Sequence, residues 1–446
     1  MTGLASHFTY GRLLRFTLPS IIMLVFTSIY GIVDGFFVSN FVGKTAFAAV
    51  NFIIPVLLML GCVGFMFGTG GGALISKTRG EGNEKKANEI FSLVVFVAAA
   101  LGVIIAVLGI IFLRPVAVLL GAEGQILEDS VIYGRIILVA LPFYILQYEF
   151  QCLFATAEKP ALGLAVTVAS GCTNMVLDAL FVAVFEWGLV GAAVATALSQ
   201  FVGGIIPVIY FAKKNSSVLR LSKCRFDIRA IGKTCANGSS EFMSNVSMSL
   251  VSMLYNARLM HYAGENGIAA YGVLMYVGMI FQSLFIGYSV GSAPIVGFNF
   301  GAKNTGELKN ILKKSLVITL ICAISMFAAG IFFGRPMSAI FVGYDPELLE
   351  ITTHAFGIFS FSFLFSGFAI YCSSFFTALN DGLTSALISL LRTLVFQVSA
   401  VIIFPLLWGV DGIWFSLVAA EAAAVAATAV FLFAKRKKYG YMQCRR

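Results

Sequence analysis

Apolar residues run along this chain in stretches of about 20 or more, long enough for a helix to cross hydrocarbon, with short polar or glycine-containing breaks between them. Twelve stretches can be marked, near residues 13–40, 47–76, 90–113, 131–157, 161–185, 189–212, 233–262, 267–297, 311–334, 351–379, 383–407 and 411–434. In lipid, backbone groups must be satisfied within the segment or in a closed barrel. The pattern therefore predicts an all-α polytopic membrane protein with twelve transmembrane helices. The first stretch does not read as a cleavable leader. It is too long for an h-region, carries Asp34, and lacks an Ala-x-Ala exit.

The pattern also repeats. Offsetting the sequence by 221 residues brings Gly109 to Pro115 onto Gly330 to Pro336, and Trp187, Gly188 and Gly191 onto Trp408, Gly409 and Gly412. Gly43, Gly70, Gly80 and Asn83 meet Gly264, Gly291, Gly301 and Asn304 at the same offset. Such self-similarity predicts two six-helix lobes. Six crossings return the chain to its starting side, so the lobes are parallel repeats with a site expected between them near the midplane. The expected division is an N-lobe over residues 1–212, a basic linker over 213–233, and a C-lobe with a basic tail over 234–446.

Composition agrees with a membrane chain: 59% of residues are hydrophobic and 11% charged, where a soluble domain carries about a quarter charged. The net charge of +9 would suit a nucleic-acid binder, but its placement argues otherwise. Of the 30 basic residues, Lys44, Arg114 and Arg335 fall on one side, and Arg135, Arg258 and Arg392 fall within spans. All the others crowd the opposite loops and the termini, including Cys444-Arg445-Arg446. Under the positive-inside rule this predicts a multi-pass protein of the inner (plasma) membrane with both termini cytoplasmic and no nucleic-acid partner. The eight cysteines lack zinc-site spacing, and the three histidines are scattered, so neither a metal centre nor an organic cofactor is expected. Gly72 to Gly80 is not followed by the Gly-Lys-Ser/Thr of a phosphate loop, and no catalytic constellation points to an enzyme.

What remains is the small set of polar residues inside the spans. Asn174 and Asp178 are four apart in the fifth span and share a helix face. An acid in hydrocarbon is costly unless it serves a polar cavity or a partner. Asp34 is the other span aspartate. Both lie about 10 Å below the outer surface at 1.5 Å per residue, as does Thr196, which opens a polar stripe with Ser199 and Gln200. The repeat places Tyr255 and Ser399 opposite the two acids, so the scaffold is duplicated and the acid pair is not.

Val33-Asp34-Gly35-Phe36-Phe37-Val38, Asn174-Met-Val-Leu-Asp178, Gly191-Ala-Ala-Val-Ala-Thr196 and Pro294-Ile-Val-Gly-Phe-Asn-Phe-Gly301 together resemble the multidrug and toxic compound extrusion (MATE) transporters, in particular the DinF/MepA-like bacterial branches. The resemblance covers essentially the whole chain. It implies a secondary antiporter that exports amphipathic organic cations by alternating access, with Asp34, Asn174, Asp178 and Thr196 as the N-lobe cation-coupling site. The coupling ion is H⁺ or Na⁺. A carboxyl pair can load a proton outside and release it inside, and the same oxygens can hold Na⁺. Glu149 and Gln151 in the fourth span are candidates for the cavity wall, Arg392 and Glu421 for an ion pair, and Glu241 for a gate. A functional monomer in the lipid bilayer is expected, with small organic cations as substrates. The alternative is a lipid-linked saccharide flippase of the same shape, but that would need several cavity arginines, and only Arg392 lies near mid-depth.

Overall fold

The computed structural model describes residues 3–441, so Cys444, Arg445 and Arg446 lie outside the described part. The N-terminal half consists of α1 (Tyr10–Phe37), α2 (Lys44–Gly61), α3 (Val63–Gly80), α4 (Glu84–Leu119), α5 (Gly124–Thr156), α6 (Pro160–Asp178) and α7 (Gly188–Ala212). The C-terminal half consists of α8 (Ile228–Gly301), α9 (Thr305–Val342), α10 (Pro346–Phe359), α11 (Phe363–Ala378), α12 (Gly382–Leu390) and α13 (Gln397–Tyr439). α2 with α3, and α10 with α11, each form one crossing. α8 and α13 are each broken by one residue with left-handed φ, Gly264 at 63° and Gly409 at 57°. Counting both sides of these breaks, the ten apolar helical segments make twelve crossings among the described residues.

The 221-residue repeat is written into the backbone. Positive φ occurs at Gly43 and Gly264, at Gly82 and Lys303, and at Gly188 and Gly409, each pair one repeat apart. Glycine takes that geometry without strain, which explains why Gly43, Gly188, Gly264 and Gly409 are retained at these corners, whereas Lys303 holds a positive φ where the first half has Gly82. Asn83 and Asn304 are likewise equivalent helix caps, each accepting a backbone N–H three residues on. The Gly80–Asn83 and Gly301–Asn304 stretches are thus helix ends and turns. The outward stripes of α4 and α9 also correspond, with Phe112 and Phe333 exposed by 55% and 57%.

The linker is more ordered than its composition suggests. Ser217 donates to the Ala157 carbonyl, and the Ser222 N–H donates to Ser92 Oγ at 2.8 Å. Helix α8 starts at Ile228, ahead of the apolar stretch that begins near 233, because Asp227 caps the Arg229 and Ala230 N–H groups.

The lobes meet through α1, α3 and α8, with the glycine contacts at the face that carries the basic loops and a deeper tie in which Ser28 donates to Ser283 at 3.1 Å. A side chain on Gly80 would overlap the Phe298 carbonyl, and one on Gly301 would overlap that of Lys77, which is the same contact made twice. Gly70 against Gly238 and Gly291 against Thr17 form a second such pair. The N-terminal strap reinforces this closure. Leu4 and Phe8 are buried in the C-terminal core, the Phe8 N–H donates to Glu307 at 2.9 Å, and Lys314 donates to the Phe8 carbonyl at 2.6 Å. Gly3 donates to Glu158 of the other lobe, which pairs with the buried Arg79 at 2.8 Å.

The far end of α13 is tied down on the same face. Burial alone would push the Asp381 carboxyl up, but hydrogen bonds from Tyr439 and Thr384 and the Lys435 ammonium hold it below the usual carboxylate range. That tie is intact at neutral pH and is lost only as pH falls through the lowered value.

Leucine at Gly80 or Gly301 should therefore prise the lobes apart at this face. Overpacking against backbone costs about 1–3 kcal/mol, enough to deplete the closed arrangement by roughly 5–150-fold. Spin labels at Glu81→Cys and Lys303→Cys would report a longer distance in either variant, and an unchanged distribution would show that other contacts hold the lobes.

Candidate functional site

Helix α6 begins with Pro160 at its first turn and brings Asn174 and Asp178 up one face. It approaches α1 closely because Gly171 leaves room for Phe26 and Tyr30, which any side chain there would displace. One turn further out, Asp34 and Asp178 come near enough for one carboxyl to hydrogen-bond the other once a proton is present. Thr196 of α7 donates to Asp34 Oδ1 at 3.3 Å and accepts from Asn174 Nδ2 at 3.3 Å. Asp178 is fully buried, yet neither of its oxygens meets a donor, and Asn174 Oδ1 is also unpartnered. Buried acceptors without donors are costly, and that cost is concentrated at this spot.

Both acids adjoin a π-helical turn, Val38–Val42 after Asp34 and Ala179–Val184 directly after Asp178. Such turns are rare and concentrate at functional sites.

The remaining candidates are dispersed. Ser199 donates to the Thr196 carbonyl on its own helix, and the Gln200 side-chain oxygen is buried without a partner. Glu149 is fully buried with both oxygens unpartnered, and Gln151 is buried with both amide atoms unpartnered. Glu241 lines a small cavity between the lobes together with Thr69, Cys152 and Thr156. In the other lobe Arg392 grips Glu421, with Nε at 3.0 and 2.9 Å from its two oxygens and Nη2 at 2.8 Å from Oε1.

Two tyrosines beside the acids escaped the sequence reading. Tyr133 of α5 is buried beside Thr196 and within reach of Asp34, and Tyr30 lies between Asp34 and Gln147. Tyr30 had a signal, since it is four residues before Asp34 on one helix. Tyr133 had none, because only the packing of α5 against α7 brings it in. No group of three or more His, Cys, Asp or Glu able to hold a metal occurs among the described residues.

A duplicated six-helix scaffold, packed lobe to lobe with an acid pair buried in one half, defines a two-lobed membrane transporter. The MatE family profile matches residues 19–180 and again 242–403, once in each half. The chain belongs to the MATE family of multidrug efflux transporters, whose members are transporters and not enzymes. The multidrug export protein MepA of Staphylococcus aureus (strain MRSA252) is 25% identical over 436 residues, covering 96% of this chain and 94% of that protein. MepA of Staphylococcus saprophyticus is 25% identical over 431 residues, with coverage of 96% and 94%. Among solved structures, an outward-facing multidrug resistance MATE transporter superposes with a TM-score of 0.93 at 20% identity, covering 98% of each chain. A MOP-superfamily transporter from Pyrococcus furiosus superposes at 0.90 and 20% identity, over 99% of this chain and 98% of that one. The fold is therefore a MATE fold, and small molecules are its cargo class.

Proposed function

We propose that this chain is a proton-coupled antiporter that exports amphipathic organic cations by alternating access between its lobes. The observation that carries the reading is the carboxyl pair: Asp178 has two buried oxygens with no donor, and Asp34 is the group beside it. One proton between them supplies the missing hydrogen bond, and two neutralise the site. Either event changes the charge of the N-lobe interior, and so can bias the two lobe arrangements. Asn174 and Thr196 orient the pair through Asp34 Oδ1.

The basic face is read as cytoplasmic, which makes the observed arrangement, closed at that face, the outward-open state. In it the acids load protons from outside, and release follows when the lobes rock. The MepA relatives, named as multidrug export proteins, support a drug-like cargo. A saccharide flippase is not favoured, since a pyrophosphate-linked cargo calls for several cavity arginines and Arg392 is the one near mid-depth.

The test uses purified protein in liposomes loaded with ethidium, with a pH gradient or a Na⁺ gradient imposed alone. The pH gradient should drive ethidium movement and the Na⁺ gradient should not. Transport driven by Na⁺ alone would replace the proton with sodium at the same oxygens, and transport with neither would refute antiport.

A further inference from the structure

The C-lobe holds a cavity of about 90 Å³ at the place where the repeat would put the acid site. Its wall includes Tyr255, Tyr271, Phe359, Trp414, Met275 and Arg392. Tyr255 is the repeat counterpart of Asp34, and Arg392 that of Gly171. Where the N-lobe leaves room beside two carboxyls, the C-lobe inserts a guanidinium among aromatic rings. Arg392 and Thr393 lie in the π-helical turn Leu391–Phe396, so this lobe too carries such a turn at its polar centre.

The guanidinium is only partly used. Nε and Nη2 are held by Glu421, while Nη1 has no partner among the described residues, and the side chain lines the cavity. Glu421 fixes the plane of the fork and so aims the free N–H edge. Gln282 and Gln397 add amide groups to the same wall and make no hydrogen bond within the described residues. Tyr255 and Tyr271 stack with centroids 5.3 Å apart and planes 4° apart, and the Tyr255 hydroxyl is engaged by Ser416 at 2.7 Å. The rings therefore offer faces and edges, and the polar demand falls on Arg392.

An apolar cavity of about 150 Å³ holds a benzene molecule, so this one, at about 90 Å³, takes a single ring only when the flexible Met275 and Met279 on its wall give way. We infer that the C-lobe cavity is a binding subsite for one aromatic ring bearing a carboxylate, or an equivalent anionic acceptor, received by the free edge of Arg392. This deepens the exporter reading and rests on it. The cargo it favours is an amphiphile that carries an aromatic carboxylate as well as a cationic amine, rather than a cation alone. Cationic charge elsewhere on such a molecule would find Glu241, whose carboxylate is close enough to feel Arg392.

The experiment is equilibrium binding to the purified full chain in detergent, read by fluorescence anisotropy. The probes are rhodamine 6G and the free acid obtained from it by hydrolysis of the ester, which differ only at the pendant benzoate. Wild type should bind the acid roughly tenfold more tightly than the ester, as expected for a charge-assisted pair. The double variant Arg392→Met/Glu421→Met, which removes both partners and leaves no lone buried charge, should bind the two dyes equally. Met279→Trp, which fills the cavity, should weaken the acid at least fivefold. Equal binding of acid and ester by wild type, a preference that survives the double variant, or unchanged binding in Met279→Trp would each overturn the assignment. The assay needs no ion gradient, so a failure of proton coupling leaves its readout intact, and loss of the acid preference leaves the coupling reading intact.

Discussion

Asp178→Asn is expected to cut gradient-driven export sharply while leaving the folded protein and its drug binding in place. Asparagine preserves the shape of the side chain and can still be buried, but it cannot gain and lose a charge. Since ion loading acts only through its differential effect on the two lobe arrangements, a side chain of constant charge biases neither. Coupling free energies of about 1–3 kcal/mol correspond to roughly 5–150-fold, which is the loss expected in drug efflux from an efflux-deficient host or from proteoliposomes. Asp34→Asn should behave alike, with a further penalty because Thr196 donates to Oδ1 of that residue. Retained export in both variants would remove the acids from the mechanism and leave them as inter-helix ties.

Arg392→Ala is the second large effect, and it falls on stability. Glu421 is 1% exposed and its partner is gone in this variant. Removing one member of a buried pair typically costs about 3–5 kcal/mol, because the other charge is left without compensation. Arg392→Met/Glu421→Met should recover most of that loss, since apolar replacements of similar volume remove the desolvation penalty on both sides. Thermal unfolding in detergent distinguishes the cases. A single variant as stable as wild type would mean that Glu421 is satisfied by another group.

The helical architecture could be read from the chain because hydrocarbon leaves few choices: an apolar stretch of sufficient length has to be a helix. The two lobes were legible from glycines at one offset, and the structure supplies the reason, since Gly43, Gly188, Gly264 and Gly409 hold left-handed corners. Asp34, Asn174, Asp178 and Thr196 could be grouped because charge is rare at that depth and the repeat showed which charges were not duplicated. Arg392 and Glu421 could be matched for the same reason.

What escaped prediction depends on packing. The break after Gly61 and the three π-helical turns carry no signal in hydropathy, which is blind to one residue more or less per turn. Tyr133 looks like any other aromatic residue until α5 and α7 are laid together. Glu149 and Gln151 stood out because polarity inside a span is costly, and both are buried, but their lack of partners could not be read from the chain. The strap from Gly3 to Thr9 is too short and too polar to register in an apolar pattern, yet its main chain is recognised by Glu307, Asn310 and Lys314.

The paired glycine contacts have a consequence for what sort of object this molecule is. Gly80 on Phe298 and Gly301 on Lys77 obey the rule of a two-fold dimer, in which residue i touches j and j touches i. The halves thus recognise each other as two subunits would, and the peptide segment between them is not what sets their geometry. With the linker docked on the first half as far as Ser222, the exposed residues Arg225 to Asp227 form the seam at which one gene could be divided into two. Such a split transporter would be a heterodimer in which one chain carries the acids and the other the arginine.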